Sequence, residues 1–123
     1  SPNLNLFTKE KIILIARKNA LKRSFINIIQ NGLQYGKNVY ITLSKTTNRL
    51  IVLIEDDGPG IPNEEYKNVF KPFFRLDKSR SLNNSGVGLG LSISEDIITS
   101  HGGNIQLSKS DRKGLQVKIT LPF

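Results

Sequence analysis

Cysteine, methionine and tryptophan are absent from these 123 residues, and His101 is the one histidine. Without cysteine, neither a disulfide nor a cysteine-ligated metal can hold the fold together. That is compatible with a reducing compartment without establishing one. With no methionine even at position 1, the chain reads as a piece of a longer protein. No apolar run approaches the ~20 residues a membrane helix needs, and Ser1-Pro-Asn does not open a signal peptide. Acidic residues are scarce: ten Asp and Glu against eighteen Lys and Arg leave a formal net charge of +8. Such a charge suits a nucleic acid, an anionic membrane surface or a polyanionic small ligand. The basic residues are scattered, with no aromatic-interleaved basic motif, so nucleic acid is not the expected partner. The length fits one domain, able to bury roughly two-thirds of its unfolded surface.

What is present centres on Ile51-Val-Leu-Ile-Glu-Asp-Asp-Gly-Pro-Gly-Ile-Pro62. The apolar run from Leu50 to Ile54 is nearly continuous and β-branched, which predicts a strand buried on both faces. It ends abruptly in carboxylates, so Asp56 falls where a buried strand emerges into a turn. A carboxylate there is costly unless something hydrogen-bonds it. Gly58 and Gly60 let the backbone turn tightly and let a flat group approach.

Taken in order, Lys11–Ala16 reads as a strand, and Asn19 as an N-cap for a helix from about Ala20 to Tyr35. Leu21, Phe25, Ile28 and Ile29 form that helix's apolar stripe. Asn27, Asn31, Gln34 and Tyr35 share another face, and Gly36 ends the helix. Val39, Ile41 and Leu43 alternate with polar residues, predicting a half-exposed strand that forms a hairpin with Leu50–Asp56. Asn63–Phe70 reads as a short helix with acidic residues in its first turn. From Lys71 to Ser85 the chain is polar and long for a loop in so small a domain. Gly86-Val-Gly-Leu-Gly-Leu91 then feeds a helix to about Ser100, with Leu89, Ile93 and Ile97 on one face. Glycines at a helix N-terminus can bind an anion through bare N–H groups and the helix dipole. The spacing is not the dinucleotide fingerprint, because the third glycine comes one residue early. His101-Gly-Gly closes the helix, and Asn104–Ser108 with Leu115–Leu121 forms a closing hairpin. No acid–base partner adjoins His101, which reads as structural. Partly segregated strands and helices predict an α+β chain, a two-layer α/β sandwich with helices on one sheet face.

Four stretches, Asn27-Ile-Ile-Gln-Asn31 with Tyr35, Asp56-Asp-Gly-Pro-Gly60, Phe70-Lys-Pro-Phe-Phe-Arg75 and Gly86–Leu91, stand in the order of the N, G1, F and G2 boxes. Together they closely resemble the catalytic ATP-binding domain of bacterial sensor histidine kinases, from about Leu21 to Phe123. From Phe70 onward the text looks particularly like that of an osmosensing kinase. The resemblance implies a Bergerat-type fold: a mixed, mostly antiparallel sheet covered on one face by about three helices, as a single domain over 1–123. It implies ATP and magnesium as ligands, with Asn31 on the metal and Asn27 and Tyr35 beside the nucleotide. Asp56 would accept from the adenine amino group, Gly58 and Gly60 would admit the base, and Ile61 would wall it. Phe70 would belong to the ATP site, and Arg75 would contact the phosphates from a lid over about 71–86. Gly86, Val87, Gly88, Leu89, Gly90 and Leu91 would line the phosphates. The implied partners are a histidine-containing dimerisation domain of the same protein and a response regulator receiver domain. The implied location is cytoplasmic, in a sensor of the inner membrane that is anchored by a part preceding this chain. Gln34 stands where many members carry Lys or Arg, and Val87 where Thr or Ser is common.

The alternatives are an ATPase domain of the gyrase, Hsp90 or MutL kind and a non-enzymatic nucleotide-sensing module. Those hydrolases place a glutamate four residues before the magnesium asparagine, as general base for water. Here that residue is Asn27, and an amide cannot take a proton in that way. The reading is therefore a kinase domain that holds ATP for a histidine elsewhere, with no phosphoacceptor of its own.

Overall fold

A computed structural model describes residues 3–7, 18–71 and 87–122. The elements are β1 (Asn3–Phe7), α1 (Lys18–Tyr35), β2 (Asn38–Lys45), β3 (Arg49–Asp56), α2 (Val87–Ser100), β4 (Asn104–Lys109) and β5 (Leu115–Pro122). The strands form one sheet in the order β1-β2-β3-β5-β4. β1 runs parallel to β2, pairing Leu4 with Val39, and every other neighbouring pair is antiparallel. The sheet is thus mixed and mostly antiparallel, and together with the helices makes the expected α+β architecture.

Two elements differ from expectation at the N-terminal side. β1 had no signal in the sequence, because a five-residue edge strand carries too short a pattern. The strand expected over Lys11–Ala16 lies outside the described residues. α1 begins at Lys18, so Asn19 is inside the helix and not its cap. An exposed asparagine costs a helix interior only ~0.5 kcal/mol relative to the best formers, which packing of the following turns readily exceeds.

β3 alternates instead of burying both faces. Leu50, Val52, Ile54 and Asp56 point into the core, while Ile51, Leu53 and Glu55 are half-buried. One face of the sheet therefore carries the helices. β5 repeats the pattern, with Leu115, Val117, Ile119 and Leu121 buried and the residues between them half-buried. Ile28 of α1 and Ile98 of α2 press down on Val39, Ile119 and Leu121 within the same core.

The two helices meet through serines. Ser94 Oγ donates to the Ser24 carbonyl at 3.0 Å and Ser24 Oγ to the Ser94 carbonyl at 3.3 Å, with both residues fully buried. The small side chains let the helices approach, and the reciprocal bonds satisfy both hydroxyls. This contact sets the rotation of α2. Its buried face is Leu91, Ser94 and Ile98, while Ile93, which the apolar spacing groups with Leu89 and Ile97, is 43% exposed. The Asn63–Phe70 stretch forms two single 3₁₀ turns, Asn63–Glu65 and Asn68–Phe70, and not a continuous helix. Neither turn has a side-chain N-cap, and Pro62 precedes the first. Among the described residues, two α-helices and these two turns accompany the sheet.

α2 closes at Gly102, whose φ of +78° admits the left-handed terminator. Gly103 N–H donates back to the Ile98 carbonyl at 3.1 Å. His101 Nδ1 bonds the Ile97 carbonyl at 2.8 Å, in keeping with a structural histidine.

Candidate nucleotide-binding site

The last residue of β3 follows the strand's own alternation inward, so Asp56 is carried into the core face. It is only 7% exposed. Its Oδ1 accepts from Gly58 N–H at 2.9 Å and from Leu115 N–H at 3.4 Å. Burial pushes its carboxyl above the usual range, and the neighbouring Asp57 charge adds to this, while the two N–H bonds oppose it. Beyond Asp56 the chain turns at Gly60, which has a φ of +77°.

Above Asp56 passes the C-terminal half of α1. A Cβ on Gly32 would stand 3.8 Å from Asp56 Oδ2, so the helix backbone lies close over the carboxylate. Asn31, the residue before, has a buried side-chain oxygen with no hydrogen-bond partner among the described residues. Asn27 lies one turn earlier on the same face and is half-buried. The structure thus brings the β3 end and the asparagine face of α1 together. Ile61 and Phe70 are half-buried and pack against the core.

Val87 to Gly90 form the first turn of α2, and only their backbone is described. Gly88 and Gly90 are thus part of the helix. Leu91 is buried in the core. Of Tyr35, only the backbone is described, as the last residue of α1. Arg75, Gly86 and all of the expected lid except Lys71 lie outside the described residues.

Residues 16–123 match the family of histidine kinase-, DNA gyrase B- and HSP90-like ATPases. The chain belongs to that family. Its curated relatives include the sensor histidine kinase GtrS of Pseudomonas aeruginosa, 37% identical over 103 residues, which cover 84% of this chain and 21% of GtrS. This chain therefore spans about a fifth of that relative's length. The histidine kinase domain of the Escherichia coli osmosensor EnvZ is 35% identical, with a TM-score of 0.68 over 98% of this chain and 73% of that domain. A mycobacterial sensor histidine kinase, MprB, superposes with a TM-score of 0.80 at 27% identity, over 98% of this chain and 82% of that one. Within the family, the chain is homologous to the ATP-binding domains of sensor histidine kinases.

In a domain of this family a magnesium ligand must be an oxygen of hard character. Asn31 fits, since a carbonyl oxygen buried without a partner is costly unless a cation or donor meets it.

Asp57, which the sequence reading passed over, organises the neighbouring turn. Its Oδ1 accepts from Lys37 N–H at 2.8 Å and Asn38 N–H at 3.0 Å, and its Oδ2 from Asn38 Nδ2 at 2.8 Å. These bonds tie the α1–β2 connection to the end of β3. The Asn38 donors, chiefly its N–H, hold the Asp57 carboxyl below the usual range. A depressed native pKa gives stability that is present above the unfolded value of about 3.9 and lost as pH falls through the native one. Asp57→Asn should therefore lower the melting temperature at pH 7. The gap to the parent should close as pH drops below about 4, in melting curves taken from pH 7 to 3. The effect is modest, because Asp57 remains in contact with water. Asp56 works in the opposite sense. Its raised carboxyl favours the fold when protonated, a contribution complete below about 3.9 and gone above its native pKa.

Proposed function

We propose that this chain is the catalytic domain of a two-component sensor histidine kinase, holding ATP and magnesium for transfer of the γ-phosphoryl group to a histidine on a separate dimerisation domain. The observation that supports the reading is the buried Asn31 oxygen, without a partner among the described residues, on the helix whose next residue, Gly32, lies against Asp56. Asp56 selects adenine, Gly58 and Gly60 give the ring room, and Ile61 borders it. Asn27 and Tyr35 flank the nucleotide, and the α2 N-terminus faces the phosphates, assisted by Arg75. Asn31 would hold magnesium, which when bound would neutralise the phosphate charge that opposes attack.

Asn27 decides against rapid hydrolysis. Its amide has no basic lone pair with which to prepare water. The transferred group therefore waits for an imidazole nitrogen, which forms a P–N bond as the β–γ bridging oxygen departs. The partners are that histidine-bearing domain and, downstream, a response regulator receiver domain. Among the described residues no helix is long and apolar enough to cross a membrane.

Calorimetric titration tests the reading at its base. Saturable binding of ATP, strengthened by magnesium, is the expected result. No saturable heat with ATP or ADP at millimolar concentration would overturn it.

A further inference from the structure

The β4–β5 connection does more than close a hairpin. Ser110 N–H donates to the Gly114 carbonyl at 2.8 Å and Lys113 N–H to the Ser110 carbonyl at 3.1 Å, making a tight turn. Lys113 adopts a φ of +87°, an uncommon conformation for a residue with a side chain. The turn is fastened at two places. Ser110 is buried, and its Oγ donates to Glu55 Oε2 at 2.6 Å while accepting from Arg112 N–H at 3.0 Å. The Arg112 guanidinium lies 3.7 Å above the centre of the Tyr40 ring, two strands away in β2.

These fastenings press the turn onto the Asp56–Gly60 segment. At Gly114 a Cβ would overlap both Asp56 Oδ1 and the Asp56 carbonyl oxygen, so only glycine fits there. Leu115 N–H is one of the two donors to Asp56 Oδ1. The Lys113 carbonyl lies 3.4 Å from where a Cβ on Gly60 would stand. The register accounts for this overhang: Glu55 pairs with Gln116, so the turn before β5 extends past the end of β3.

We propose that the Ser110–Gly114 turn is a latch for adenine recognition, in which Ser110 and Arg112, fastened to Glu55 and Tyr40, hold Gly114 and Leu115 against Asp56 and so aim its carboxylate at the base. This rests on the assignment of Asp56 as the adenine acceptor. Ser110, Arg112 and Gly114 are positioning residues, acting through Asp56 without touching the nucleotide. A hairpin that only stabilised the sheet would make no demand on Asp56. The latch ties nucleotide affinity to side chains on the sheet face opposite the helices.

The test uses Ser110→Ala, Ser110→Thr, Arg112→Ala and a control, Ser108→Ala. The control removes a hydroxyl of the same hairpin that accepts from Gln116 Nε2 at 3.1 Å, away from Asp56. ADP affinity is measured by calorimetry, and Leu115 amide exchange by NMR on the nucleotide-free chain. Ser110→Ala and Arg112→Ala should each weaken ADP about three- to tenfold, the effect of one net hydrogen bond. Both should speed exchange at Leu115. Ser110→Thr, which keeps the hydroxyl, should restore both readings, and Ser108→Ala should leave both at parental values. Parental exchange and affinity in Ser110→Ala and Arg112→Ala would overturn the latch. Faster Leu115 exchange with undiminished ADP affinity would overturn it too, by showing a turn that loosens without disturbing the site. A parent chain that does not bind ADP would instead overturn the nucleotide reading on which the latch depends.

Discussion

Asp56→Ala is expected to weaken ATP binding by roughly 10- to 100-fold, because a hydrogen bond to a charged group contributes about 1.5–3 kcal/mol. Oδ1 is committed to backbone donors at Gly58 and Leu115, so Oδ2, on the side of α1, is the oxygen assigned to the adenine amine. GTP should bind worse than ATP in the parent, since its six-position oxygen cannot donate to a carboxylate, and the preference should vanish in Asp56→Ala. Asp56→Asn separates recognition from folding. Burial opposes the charged carboxylate in the empty domain, so the neutral amide should leave melting at pH 7 unchanged or higher. ATP affinity should nevertheless fall, because the amide can present an NH₂ where an acceptor is needed. Calorimetry with ATP and GTP, beside melting curves, reads both. Equal parental affinities for the two nucleotides would remove Asp56 from base recognition.

The place of Asp56 at a strand end and the shared face of Asn27 and Asn31 were legible for local reasons. An apolar strand that ends in a carboxylate and a glycine turn leaves its mark within a dozen residues, and two asparagines at i and i+4 declare a shared face. The β2–β3 and β4–β5 hairpins were legible in the same way, from alternation broken by turn residues. What escaped depends on contacts between distant segments. Ser24 and Ser94 are seventy positions apart, and serine gives no hydrophobic signal, yet their exchange of hydrogen bonds fixes which face of α2 is buried. The apolar spacing alone favoured Ile93, which the structure leaves exposed. Gly114 reads as one more turn glycine until Asp56 is placed against it. Ser110, Glu55, Arg112 and Tyr40 are ordinary strand and turn residues whose association exists only in the folded sheet. Asp57 was overshadowed by its neighbour, although its side chain holds the α1–β2 turn.

Asn31→Ala is expected to abolish phosphoryl transfer to a histidine-bearing helical domain supplied in trans, with Asn31→Asp retaining part of it. Asn31 presents a buried oxygen that no donor among the described residues meets, and an oxygen so placed is stabilised when a ligand cation or donor arrives. Removing it deletes an interaction that the folded domain does not itself use, so melting of the empty chain should change little. The magnesium enhancement of ATP binding should largely disappear. The parent chain alone should take no label from radioactive ATP. His101, the one histidine, is held by the Ile97 carbonyl at the far end of α2, roughly 20 Å along the helix from the glycine turn at its start. It therefore lies out of reach of a phosphate bound there. Hydrolysis should also be slow, with Asn27 in the place of a general base. Label should appear only on the added domain, and only with Asn31 intact. Stable label on the isolated chain would overturn the absence of its own phosphoacceptor, and turnover near the ~1 s⁻¹ low end of typical enzymes would place it in the hydrolytic branch. Parental transfer by Asn31→Ala would take the metal role from this residue.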